Sequence, residues 1–299
     1  MKLVEEDNFQ SVIPSSKRYV LNQITVSFIY LAGLDIYPIY PDLSPDEIRN
    51  ILTKVNGVLL PGGMTNVVQP NPESNDESLF VYSRYAKAAK IILEEAKRIN
   101  NRGNYFPVFG ICLGFQSMIA AETNDMNIVE KKDVGLGYNA TLEYTIDSVD
   151  SRLLSSIPRY LIDYMGRVKT TNNFHEYMVD YEKFMDDPLL KRMYKVLSLS
   201  KSKDETVSFI SMIEGIDYPF YGFQFHPEFA IHAYYPKSIV SYPNKNIAAE
   251  IAREIMELIR TKVSKNTHKI EKDEDKLLAN TQVTITLDSK FNLPFYLLG

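Results

Sequence analysis

The segment Tyr105-Phe106-Pro107-Val108-Phe109-Gly110-Ile111-Cys112-Leu113-Gly114-Phe115-Gln116 opens as an apolar, aromatic-rich run and closes as the start of a helix. Tyr105 to Phe109 has the composition of a buried strand, and the residues from Leu113 through about Ala121 that of a helix. Between them, Gly-x-Cys-x-Gly puts the sole cysteine of the chain in a tight turn, with small neighbours that let the backbone pass. A thiol there faces the positive end of a helix, which favours the thiolate. A lone cysteine can equally be a buried structural residue. Glycines on both sides, after an apolar strand, favour the nucleophile.

Working outward, Val58-Leu59-Leu60 is a second buried strand that runs into the turn Pro61-Gly62-Gly63. A polar loop, Pro70 to Asp76, precedes a long helix from Leu79 to Ile99 with Ala88, Ile91, Ile92 and Ala96 at helical spacing. Nearer the start, Asn22 to Leu31 reads as a helix and Ile36-Tyr37-Pro38-Ile39-Tyr40 as a strand. Ser44-Pro45-Asp46-Glu47 is a helix start: a capping serine, a proline at the first helical position, and a glutamate to complete the box. Strands alternating with helices predict an α/β fold with a mostly parallel central sheet and helices on both faces.

Beyond the cysteine, short helices are expected at Tyr181 to Asp186 and Leu189 to Tyr194. Val207 to Met212 and Phe220 to Phe225 form a hairpin around Glu214-Gly215, and Asn246 to Lys262 is an amphipathic helix. Residues 264–280 form a charged, exposed tail segment, and Val283 to Leu287 a late edge strand. No repeat or low-complexity segment interrupts this order, so residues 1–299 read as one domain.

Composition removes several function classes. Of 299 residues, 45% are hydrophobic, enough for a sizeable core and against intrinsic disorder. A net charge of −5 and the lack of any long Lys/Arg block leave no footprint for nucleic acid. No apolar run approaches the ~20 residues of a bilayer span. One cysteine excludes an internal disulfide framework and a zinc ribbon. Met1 to Asp7 holds no apolar h-region, so no signal peptide is read there. Asn139-Ala140-Thr141 is a sequon, an acceptor only in a secretory protein.

A thiolate nucleophile needs a base. Of the histidines His175, His226, His232 and His268, the last lies in the charged tail and reads as solvated. His226 stands in Phe223-Gln224-Phe225-His226-Pro227-Glu228, where Pro227 ends an apolar strand and Glu228 is spaced to hold the imidazole in one tautomer. Gly62-Gly63 can offer a backbone N–H to an oxyanion beside that of Leu113, or be only a turn. Gly135-Leu136-Gly137 lacks the strand–helix context of a dinucleotide site.

Three segments, Pro61-Gly62-Gly63, Phe109 to Gln116 and Tyr221 to Glu228, resemble the signature segments of class I glutamine-amidotransferase-like proteins, which are flavodoxin-like α/β folds. Within that superfamily the chain is most similar to the γ-glutamyl hydrolases. Asn56 to Gly63, Tyr105-Phe106-Pro107-Val108, Asn173-Phe174-His175, and Met212 to Gly215 with Tyr218-Pro219 carry the narrower match, which runs from about Tyr19 into the tail. The resemblance implies a cysteine peptidase that removes γ-linked glutamates from folylpolyglutamates, a small-molecule substrate, with no metal or organic cofactor. It implies Cys112 as nucleophile, His226 as base, Glu228 as orienting carboxylate, the amides of Gly63 and Leu113 as oxyanion hole, and Gly62, Gln116 and His175 at the substrate. It also implies a homodimer and a lysosomal, vacuolar or secreted location.

The chain departs from the family at three places. The apolar opening strand is reduced to Lys2-Leu3-Val4, Thr25 stands where an aromatic is expected in the first helix, and Gln116 stands where a glutamate is common. Two further readings follow. Gln116 fits a glutaminase that passes ammonia to a synthetase partner. All three departures fit a structural or assembly subunit with an idle site, because fold and function separate.

Overall fold

The computed structural model describes residues 19–74, 76, 79–232, 241–270, 273–280, 284–287 and 294–298. The reduced opening strand around Lys2-Leu3-Val4 lies outside them. β1 (Tyr19–Asn22) passes into α1 (Gln23–Leu31), where Asn22 Oδ1 accepts from the Ile24 N–H at 2.9 Å. α2 (Pro45–Leu52) begins with the full capping box, the Glu47 carboxylate accepting from the Ser44 N–H at 2.8 Å. β2 (Val58–Leu60) is followed by an antiparallel hairpin of β3 (Val68–Pro70) and β4 (Phe80–Tyr82). α3 (Arg84–Asn101) therefore starts later than Leu79, at the point where Ser83 caps it. β5 (Val108–Ile111) and α4 (Leu113–Ala120) complete this half.

The second half runs β6 (Val129–Lys131), β7 (Leu136–Ala140), β8 (Glu143–Tyr144), α5 (Arg159–Arg167), β9 (Thr171–Phe174), β10 (Tyr177–Val179), α6 (Tyr181–Asp186), α7 (Pro188–Met193), β11 (Tyr194–Lys201), β12 (Ser208–Gly215), β13 (Phe220–Phe223), α8 (Lys245–Val263), β14 (Thr284–Leu287) and β15 (Pro294–Leu298). Six strands form the central sheet in the order β2-β5-β13-β12-β11-β8. The α/β class stands, but the sheet is mixed rather than mostly parallel. β2, β5 and β13 are parallel, whereas β12, β11 and β8 join antiparallel. The cause is loop length: β12 reaches β13 through a short turn, which permits only an antiparallel neighbour.

Alternate residues of the parallel strands feed two cores. Phe109, Ile111, Tyr221 and Phe223 pack with α1, α5 and α8; Val58, Leu60, Val108 and Phe220 pack with α2, α3 and α4. Burial on both faces explains why these strands read as unbroken apolar runs. At the switch from β5 to α4 the packing is closest. A Cβ on Gly114 would lie 1.9 Å from the Leu60 carbonyl oxygen, a backbone atom that cannot swing aside. Gly114→Ala is expected to lower the unfolding free energy by about 3 kcal/mol or more, read from urea denaturation.

Two other expectations are corrected. Residues 34–40 are extended but belong to no ladder; Pro38 has no N–H to give one. A cavity of about 790 Å³ separates part of this segment from β2 and α1, and Thr25 lines it. The expected late edge strand is present as Thr284–Leu287, at the edge of a separate three-stranded sheet β1-β15-β14; Val283 lies outside the described residues. The segment 264–280 is largely exposed, yet it is anchored. Asn266 and Leu278 are buried, Lys54 pairs with Asp273, and His268 Nδ1 faces the Leu52 and Val55 carbonyls at 3.0 and 3.2 Å. His268 is thus a fastener for the end of α2 rather than a solvated residue. Among the described residues no helix is long and apolar enough to cross a membrane.

Candidate active site

The parallel strands deliver the chemical groups at their C-terminal ends. Cys112 follows β5 and caps α4 with φ 51° and ψ −107°, a left-handed conformation held by the Cys112 N–H donating to Phe223 O at 2.7 Å and by the Gln116 N–H donating to Cys112 O at 2.9 Å. Strain of this kind costs on the order of 1–3 kcal/mol and persists where surrounding structure enforces it. It turns the side chain off the strand axis, as a nucleophile elbow requires.

His226 follows β13, and its N–H donates to Asn172 O at 2.8 Å, tying it to β9. The imidazole is stacked on Phe229 with ring centroids 4.5 Å apart. Its Nδ1 donates to Glu228 Oε1 at 2.8 Å, which leaves Nε2 outside that bond, and Cys112 acts on the ring electrostatically. Cys112, His226 and Glu228 are 4%, 7% and 1% exposed. Cys112 is buried and also belongs to the apolar cluster that holds Ile111 and Phe225.

Burial opposes a charge on His226; the Glu228 carboxylate and then Cys112 outweigh it, and the ring rises from 6.5 to about 10. His226 is therefore held as an imidazolium across the neutral range. His175 is driven the opposite way. Burial, with the His226 charge added, outweighs the Tyr177 carbonyl and lowers it to about 3, a neutral ring.

Gly62 lies directly against this pair. A Cβ there would come 2.6 Å from His226 Cε1 and 3.4 Å from Cys112 Cβ. Gly62→Ala is expected to push the imidazole off the thiol and lower kcat/KM by about 100-fold with the fold retained, checked by kinetics beside circular dichroism. Neither the Gly63 nor the Leu113 amide donates to a partner among the described residues, so both N–H groups are available to an oxyanion.

Gln116 and His175 are both hydrogen-bonded within the protein. Gln116 Nε2 donates to Tyr177 O at 2.8 Å and to Gln224 Oε1 at 3.1 Å, and His175 Nδ1 donates to the same Tyr177 oxygen at 2.8 Å. Both side chains are buried. Together they bind α4 to the β9–β10 connection beneath the pair. Thr25 lines the cavity along β2, and neither Cys112 nor His226 does. Asn139 of the sequon spends its Nδ2 on the Ser241 carbonyl at 2.6 Å. The side chain of His232 lies outside the description, and among the described residues no group of three or more His, Cys, Asp and Glu could hold a metal.

The sequence pattern of the peptidase C26 family matches residues 4–228, a span that includes the elbow, the glycine turn and the His226–Glu228 segment. The chain belongs to the peptidase C26 family. It is an enzyme of the peptidase class. Gamma-glutamyl hydrolase of Mus musculus is 30% identical to it over 255 residues, 85% of this chain and 74% of the mouse protein. Gamma-glutamyl hydrolase of Homo sapiens is 29% identical over 272 residues, 89% of this chain and 79% of the human protein. The glutaminase domain of a Trypanosoma brucei CTPS, solved with bound acivicin, matches with a TM-score of 0.54 and 17% identity over 86% of this chain and 93% of that domain. At that identity the likeness is one of fold.

Several residues around the pair of this peptidase C26 chain carry no signal in the sequence. Asn172 and Phe229 hold the imidazole, and the buried Tyr85 hydroxyl donates to Pro61 O at 2.8 Å, bracing the glycine turn. None has a diagnostic spacing from Cys112. They are recognisable only once the chain is folded.

Proposed function

We propose that this peptidase C26 chain hydrolyses γ-glutamyl bonds, with folylpoly-γ-glutamates as its substrates. The observation that carries the reading is the sole cysteine on a strained strand-to-helix turn, beside an imidazole that a buried glutamate holds. The names of the mouse and human relatives support the γ-glutamyl bond as the target.

The Cys112 thiolate attacks the γ-amide carbonyl carbon, and the oxyanion forms opposite the amides of Gly63 and Leu113. The imidazolium of His226 gives its Nε2 proton to the departing glutamate nitrogen as the C–N bond breaks. A γ-glutamyl thioester remains on Cys112. His226, now neutral, takes a proton from water as it attacks the thioester, and the thiolate and imidazolium are regenerated. Glu228 keeps the ring in the tautomer that serves both steps.

The test is incubation of the purified protein with a folate or aminobenzoyl oligo-γ-glutamate beside Cys112→Ala. Glutamate released by the wild type and not by the variant supports the reading. A wild type that turns over no γ-glutamyl compound would instead leave a structural subunit with an idle site, and turnover confined to free glutamine would point to a glutaminase.

A further inference from the structure

Among the described residues, the buried Glu228 Oε2 and the Tyr242 hydroxyl have no hydrogen-bond partner. Glu228 is 1% exposed and Tyr242 5%. Tyr242 precedes α8 and belongs to the same apolar cluster as Phe225 and Phe229, which lie on either side of Glu228 in the chain. The neighbouring Ser241 carbonyl is bonded to Asn139 Nδ2, which ties this stretch to β7.

An orphaned carboxylate oxygen is costly to bury, and a phenol is a natural partner because an O–H donor to a charged acceptor makes a strong bond. Burial, and then the charge of Glu228, keep Tyr242 protonated well above the usual tyrosine range. The hydroxyl is therefore a donor at every working pH. Glu228 Oε1 is already committed to His226. With only that oxygen anchored, the carboxylate can rotate about its last bond; with both anchored it cannot.

We propose that Tyr242 is a positioning residue whose hydroxyl donates to Glu228 Oε2 across one water, and so fixes the carboxylate that holds His226. The inference rests on the hydrolase reading only for its consequence in turnover. The groups that face His226 are Cys112 from the elbow, Glu228 from its own turn and His175 from the β9–β10 connection, and all three are retained when Tyr242 is changed.

The test is Tyr242→Phe, which removes one oxygen and keeps the ring, followed by NMR titration of the His226 ring protons. The expected result is a midpoint lower by about one pH unit, with kcat lowered about tenfold and KM unchanged. In a Glu228→Gln background the same change should add nothing, because Tyr242 acts only through that carboxylate. The melting temperature is a second readout: it falls if a bond to a charged group is lost and rises if an idle buried hydroxyl is removed. An unmoved or raised midpoint, a raised melting temperature, or an effect that survives in the Glu228→Gln background would overturn the proposal. The titration needs no substrate. A wild type inert toward γ-glutamyl compounds would sink the hydrolase reading alone, and an active wild type with an unmoved midpoint in Tyr242→Phe would sink this one alone.

Discussion

Cys112→Ala is expected to lower kcat/KM on an oligo-γ-glutamate by at least about 10⁴-fold while the chain stays folded. The size of the loss follows from covalent chemistry: without the sulfur no thioester forms, and binding with an oxyanion site is all that remains. The fold should tolerate the change because alanine meets the same left-handed strain as cysteine and fills most of the same volume. The substitution also removes one of the groups that raise His226, so the ring should titrate at lower pH than in the wild type. Kinetics and circular dichroism on the same preparation check both parts. A variant with undiminished turnover would locate the chemistry elsewhere.

Glu228→Gln is expected to cost on the order of 10³-fold in kcat/KM and to change the shape of the pH profile. Without the carboxylate the ring loses the partner that keeps it charged and oriented, so the Nε2 proton needed by the departing nitrogen is missing from most of the population. The sign of the pH effect follows from the raised midpoint of the wild type. The imidazolium is present below about 10 and is lost as the pH climbs through that value, so activity should fall on the alkaline side. Removing the carboxylate removes the largest influence that favours the charged ring, while burial, which disfavours it, remains. The alkaline fall should therefore move downward, toward or below the ordinary 6.5. An alkaline limb that stays in place would mean that Glu228 does not govern the imidazole.

The chemical groups were legible in the chain because each is marked locally. Gly110 and Gly114 flank Cys112 where the strand turns into a helix, and Pro227 and Glu228 follow His226 at a strand end. The parallel half of the sheet was legible as well, since strands buried on both faces are apolar at every position. What failed depended on neighbours that no local pattern reveals. Ile36 to Tyr40 has the composition of a strand, but a ladder needs an adjacent edge. Phe80-Val81-Tyr82 read as the first turn of a helix because the strong pattern behind it extended forward, whereas its aromatic and β-branched residues pair with β3. His268 read as solvated from the charge around it, and its role at the end of α2 exists only in three dimensions.

The most direct test of the Cys112–His226 pair uses the fact that the chain has one cysteine. Iodoacetamide labelling is followed by intact mass and by residual glutamate release in the same samples. A single label is expected at Cys112, with activity lost in proportion to labelling and with labelling slowed in His226→Asn. A fully labelled protein that still releases glutamate, or a labelling rate indifferent to His226, would contradict the account.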